Sequence, residues 1–79
     1  MKLKPNISIS PNGFVFNANT GDTFKVNNIG LEILEYLKQD RSEKELMQYL
    51  LSRYDVDEIT LDQHLTDFLN MLRYYQMLE

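Results

Sequence analysis

An α+β fold is expected: a three-stranded antiparallel meander first, then three helices. Three observations point to it. The hydrophobic period changes from two to about 3.6 at Asn27-Asn28. Two turn signals, Pro11-Asn12-Gly13 and Asn19-Thr20-Gly21-Asp22, divide the chain before that point. Two Ser/Thr-x-x-Glu/Gln signals, Ser42 to Glu45 and Thr60 to Gln63, open apolar runs after it.

In the first strand, about 6–10, Ile7 and Ile9 alternate with Ser8 and Ser10. Met1 to Pro5 reads as a loose lead-in. The second strand is about 13–18, with Phe14 and Phe16 on one face; the third, about 22–27, carries Phe24 and Val26. Connections this short make hairpins. The inward set expected is Ile7, Ile9, Phe14, Phe16, Phe24 and Val26.

An Asn at the 27–28 junction can accept from free backbone N–H groups and start the first helix, about 28–39. Ile29, Ile33, Leu34 and Leu37 fall on one side of it, Glu32 and Glu35 on the other. The second helix, about 42–54, turns Leu46, Tyr49, Leu50 and Tyr54 inward. Asp55 to Ile59 reads as a loop. The third helix, about 60–75, has Leu61, Leu65, Phe68, Leu69 and Leu72 on its core stripe, and Met77-Leu78 folds back as a clasp. Residues 1–79 make one domain.

With 79 residues and no cysteine, the core depends on aliphatic and aromatic side chains alone. No apolar run approaches the ~18 residues of a membrane span, and no signal-type segment opens the chain, so a soluble, cytoplasmic protein is expected. The net charge of −4 argues against general affinity for phosphate backbones. It is unevenly spread: residues 1–30 hold Lys2, Lys4 and Lys25 against Asp22, while the rest holds five cations against eleven carboxylates.

These residues offer little to catalysis or metals. His64 is the only histidine, and a pairing with Asp67 reads as solvated helix surface. Asp55-Val56-Asp57 starts like a calcium loop, but Thr60 stands at the required glycine and Thr66 at the twelfth position. The three glycines form no phosphate-binding loop. No enzyme activity, cofactor or metal is therefore expected. Three helices with a small sheet are also the inventory of a winged helix-turn-helix. However, the third helix has Asp62 and Asp67 against Arg73 alone, which disfavours DNA.

The third helix has more apolar side chains than a core arc needs. Met71, Tyr75 and Leu78 extend the arc on one flank, with His64, Asp67 and Tyr74 at its edge. They either pack on the sheet and clasp or form a groove wall. The third strand ends the meander, so one of its edges is expected to lack a partner. An open edge beside an apolar helix flank suits the addition of an extended peptide as a further strand.

The run Thr23-Phe24-Lys25-Val26-Asn27-Asn28-Ile29-Gly30-Leu31-Glu32-Ile33-Leu34 resembles the aromatic-x-aliphatic-Asn-x-x-Gly-x-x-Ile-Leu signature of the pyrroloquinoline quinone synthesis protein D family. Asn19-Thr20-Gly21, Asp40-Arg41-Ser42, Glu45-Leu46, Tyr54-Asp55, Leu61, Leu65, Phe68-Leu69, Leu72 and Met77-Leu78 fit in order, so the resemblance spans about residues 6–78. It implies a winged-helix-like peptide chaperone. Such a domain holds the leader segment of a ribosomally made precursor peptide and presents it to a modifying enzyme, often a radical S-adenosylmethionine enzyme. The peptide is then expected along Asp22, Thr23, Phe24, Lys25, Val26 and Asn27, reaching His64, Asp67, Met71 and Tyr75. Two positions depart from the family: Gln76 replaces its usual glycine, so the third helix is expected to lack a left-handed Gly cap, and His64 replaces its frequent Asp. The alternative function is a winged-helix regulator or another protein–protein module. Neither nucleic acid nor membrane is expected as a partner of the peptide chaperone.

Overall fold

The computed structural model describes all residues from Met1 to Glu79. Strands β1 (Ile7–Ile9), β2 (Phe14–Asn17) and β3 (Thr23–Lys25) precede helices α1 (Asn28–Leu37), α2 (Glu43–Arg53) and α3 (Glu58–Tyr74). The sheet is antiparallel in the order β1-β2-β3. The expected architecture is therefore the observed one, with shorter strands.

The inward face of β2 differs from expectation. Val15 is fully buried and Asn17 is 2 % exposed, whereas Phe14 and Phe16 are 45 % and 43 % exposed. The cause is the parity of the first turn. Ser10 N–H donates to the Phe14 carbonyl, leaving three residues between them. Ile9 therefore faces Val15, and Ile7 faces Asn17. Gly13, at φ +90, makes that turn, and an added Cβ there would lie 2.7 Å from the Val26 carbonyl oxygen. The second connection keeps the same inward set, pairing Val15 with Phe24. Buried Asn17 organises this second turn: its carboxamide oxygen accepts from the Asn6 amide and the Asn19 N–H.

Asn27 caps α1 by accepting from Gly30 N–H at 2.8 Å. Ser42 and Glu45 form the expected reciprocal box at α2. At α3 the cap is Asp57 rather than Thr60, and Glu58 and Ile59 are helical rather than loop. The Asp57 carboxylate accepts from both Thr60 N–H and the Thr60 hydroxyl. A carboxylate also interacts better with the positive end of the helix dipole than a hydroxyl does, so it takes the outer position.

The core joins Leu34 and Leu37 of α1, Leu46 and Leu50 of α2, and Leu61, Leu65, Leu69 and Leu72 of α3 with Ile7, Val15 and Ile33. Phe68, expected in this stripe, is only partly buried, as are Phe24 and Val26. Tyr49 and Tyr54 are likewise half-buried, and both hydroxyls donate to Glu32.

The N-terminal segment is no loose lead-in. Leu3 is 4 % exposed and bridges Leu78 in antiparallel fashion. Lys4 N–H donates to the Met77 carbonyl, and Glu79 N–H to the Lys2 carbonyl. Met77 is fully buried, so the C-terminal clasp forms as expected, and its partner is the start of the chain. Gln76 itself takes the left-handed conformation at φ +57, so the helix ends in a left-handed turn without glycine.

Candidate functional site

The sheet order leaves β3 at an edge. Asn17 N–H donates to the Asp22 carbonyl, and Val26 N–H donates to the Gly13 carbonyl. In an antiparallel ladder, alternate residues bond to alternate sides. Asp22, Phe24 and Val26 therefore bond toward β2, and Thr23 and Lys25 present their N–H and C=O groups at the open edge.

Beside that edge lies a hollow of about 330 Å³, lined by Asn17, Asp22, Thr23, Phe24, Met71, Tyr75 and Met77. Met71 on α3 and Tyr75 at its C-cap stand one helical turn apart. Met71 is half-buried, and Tyr75 packs edge-to-face on Tyr74 with ring centres 5.0 Å apart. A second hollow of about 270 Å³ continues between the start of α1 and the first half of α3. Its walls include Asn27, Ile29, Gly30, Ile33, Val56, Thr60, His64 and Phe68. At the second hollow, Val26 and Phe68 converge on Gly30: an added Cβ there would lie 3.0 Å from Val26 Cβ and 3.5 Å from Phe68 Cε1. Glycine thus lets the strand, α1 and α3 meet along one line. His64, Phe68, Met71 and Tyr75 recur at helical spacing along it.

The structure brings Asp22, Thr23, Phe24, Met71 and Tyr75 into the first hollow, and Asn27 and His64 into the second. Val26 is half-buried and lines neither, packing instead beside Gly30. Lys25 points away from both, with its ammonium 5.4 Å from the Phe14 ring centre on the outer sheet face. Asp67 is exposed and lines neither. Ion pairs in the molecule join Met1 to Asp40, Glu35 to Lys38, Arg41 to Glu45 and Glu32 to Arg53, and none involves His64 or Asp67.

Sequence reasoning missed Asn17 and Met77 in the floor of the first hollow, and Ile29, Val56 and Thr60 in the second. Asn17 gave a signal, as a lone amide closing a strand before a turn. Val56 gave none, because its place depends on how the α2–α3 connection is held. There Tyr54, just before it, donates to Glu32, whose carboxylate also meets Arg53 Nε at 2.8 Å. That hydrogen bond to Glu32 pushes the Tyr54 hydroxyl above its ordinary pKa, and the charge of Glu32 raises that of Arg53. A wider hollow of about 580 Å³ lies at the terminal seam, among Met1, Lys4, Glu43, Arg73 and Gln76. Its lining is mostly polar and charged, which suits water better than an apolar side chain.

No group of three or more His, Asp or Glu side chains is placed to hold a metal ion. No helix is long and apolar enough to cross a membrane.

Fold and groove together define a small α+β domain with an open strand edge beside a helix flank. The chain belongs to the family of coenzyme PQQ synthesis protein D (PqqD), whose model matches residues 13–78. No individually curated protein matches it. Among solved structures it is similar to TbiB1 in complex with the TbiA(beta) leader peptide, at 24 % identity and a TM-score of 0.87, covering 100 % of this chain and 95 % of that one. It is also similar to lasso peptide synthetase B1 complexed with the leader peptide, at 21 % identity and a TM-score of 0.82, covering 99 % and 95 %. At these identities the likeness establishes a shared fold.

Proposed function

We propose that this chain is a non-catalytic peptide-recognition domain. It binds the leader segment of a ribosomal precursor peptide and presents it to a modifying enzyme, for which the family resemblance suggests a radical S-adenosylmethionine protein. It works in the cytoplasm, needs no cofactor or metal, and engages neither nucleic acid nor membrane. The carrying observation is the unpaired edge of β3 opening onto an apolar groove against α3. Family membership supports this reading, as do the leader peptides bound by the two proteins of like fold. Residues Asp22 to Asn27, with His64, Asp67, Met71 and Tyr75, form the proposed binding surface.

Energetics divide the labour within that surface. Thr23 and Lys25 offer four backbone groups, each worth ~0.5–1.5 kcal/mol net when paired. Ordering a flexible peptide costs ~2–5 kcal/mol, so pairing and ordering roughly cancel. Micromolar affinity requires ~8 kcal/mol. The balance comes from apolar peptide side chains entering the two hollows, at ~1.5–3 kcal/mol for each one fully buried. Met71, in the groove wall, therefore matters more than Lys25, whose charge tunes encounter and partner choice. Met71→Asp places a carboxylate in the groove and is expected to weaken binding at least ~10-fold, about 1.4 kcal/mol, with the fold intact. The test is calorimetric titration of a candidate leader peptide, chosen from small open reading frames near the gene, into wild type and Met71→Asp, with amide shift mapping. Unchanged affinity, or shifts confined to α2 and β1, would place the peptide elsewhere.

A further inference from the structure

Backbone pairing at an open edge does not fix register, because a strand can slip by two residues and keep its bonds and its facing. Something else must hold a bound segment in one place. Two charges of opposite sign flank Phe24 at the β3 edge. Asp22 lines the groove. Lys25 stands on the opposite face of the sheet, over the Phe14 ring. Neither belongs to any of the four ion pairs of the molecule. They stand three positions apart on the strand, about 10 Å.

Building on the strand-addition reading above, we propose that Lys25 and Asp22 set the register of the bound peptide and so define its class. That class is an extended segment with a carboxylate, an apolar residue directly after it, and a cation three positions after the carboxylate. The order follows from continuing the antiparallel sheet by one strand. The residue opposite Lys25 points to the outer face, where a carboxylate meets the ammonium. Its successor, opposite Phe24, points inward and enters the groove toward Met71 and Tyr75. The next, opposite Thr23, points outward and is free to vary. The fourth, opposite Asp22, points inward again. There a Lys or Arg stem lies along apolar groove wall while its charged head reaches the carboxylate. A one-residue slip carries the peptide carboxylate into the apolar groove. A two-residue slip separates both pairs. Both pairs are solvent-exposed, so each is expected to change affinity only about fivefold, fading with salt. That is enough to choose among registers that backbone bonds leave equal.

The test uses the full chain and a display library of random ten-residue peptides, selected on wild type, Lys25→Glu and Asp22→Lys, with circular dichroism to verify folding. Wild type is expected to enrich acid–apolar–x–base, and Lys25→Glu to exchange the acid for Lys or Arg while keeping the apolar residue. Fluorescence anisotropy of one enriched peptide should show about fivefold weaker binding to wild type when its acid is replaced by Lys, and recovery on Lys25→Glu. Enrichment of the apolar residue with no charge preference, or equal binding of both peptides to wild type, overturns the register proposal and leaves the groove standing. Failure of wild type to enrich any peptide overturns both.

Discussion

Gln76 holds a conformation that L side chains disfavour, with φ +57. Its N–H donates to the Arg73 carbonyl, and Met77 N–H reaches back to the Leu72 carbonyl at 2.9 Å. The strain is kept because it swings Met77 into the core. A left-handed non-glycine residue costs about 1–2 kcal/mol, partly offset by the greater unfolded freedom of glycine. Gln76→Gly is thus expected to stabilise the domain by about 1 kcal/mol, a rise in melting temperature of ~4–8 °C on thermal unfolding. Phe68 and Leu69 provide a second contrast. Leu69 is fully buried, so Leu69→Ala should cost ~2–5 kcal/mol. Phe68, facing the second hollow, loses less when cut to alanine, about 1–3 kcal/mol, and peptide affinity falls with it. Urea midpoints for the pair, with matched peptide titrations, separate the two roles.

At the scale of elements, what is local was legible and what depends on a count was not. Asn27 and the Ser42–Glu45 box act within one turn of their own helices, so residue types alone reveal them. The facing of β2 depends on one residue more or less between Ser10 and Phe14. Composition puts Phe14 and Phe16 inside; turn parity puts Val15 there. Helix α3 shows a subtler failure, since Asp57 and Thr60 both make good caps and the sequence pattern favours the second. Donation from Thr60 N–H, then from its hydroxyl, holds the Asp57 carboxyl below its ordinary 3.8. A lowered folded-state value means the cap stabilises above the unfolded pKa and fades as pH falls through the folded one. Asp57→Ala should therefore melt below wild type at pH 7, and the two melting curves should converge below about pH 4.

For the whole molecule, the largest unforeseen feature is the seam between the chain's two ends. Leu3 and Leu78 are adjacent in space and far apart in sequence, and no periodicity relates them. A five-residue stretch containing Lys2, Lys4 and Pro5 reads as solvent-loving, yet Leu3 is buried and Met1 packs partly against the core. The groove depends on this seam, because Met77 is both its floor and a fully buried member of the core. Leu3→Ala is expected to cost ~2–5 kcal/mol, a large share of what a domain this size has. Hydrogen exchange should then show faster opening at Met77 and along the C-terminal turn of α3. The strand edge and the Met71–Tyr75 flank were legible because both follow from element order and helical spacing. The second hollow was not, because it needs α1, α3 and Val56 together.

The brevity of β3 also leaves residence time to the apolar groove. Three residues, Thr23–Lys25, allow only a few backbone bonds to a partner strand. With association at about 10⁶ M⁻¹s⁻¹, a micromolar complex dissociates about once per second. Enzymes commonly turn over at ~1–10³ s⁻¹, so under the proposed function a peptide held at this affinity stays long enough to be worked on and then leaves. A deeper apolar groove, rather than a longer strand, would grip better and hand over more slowly.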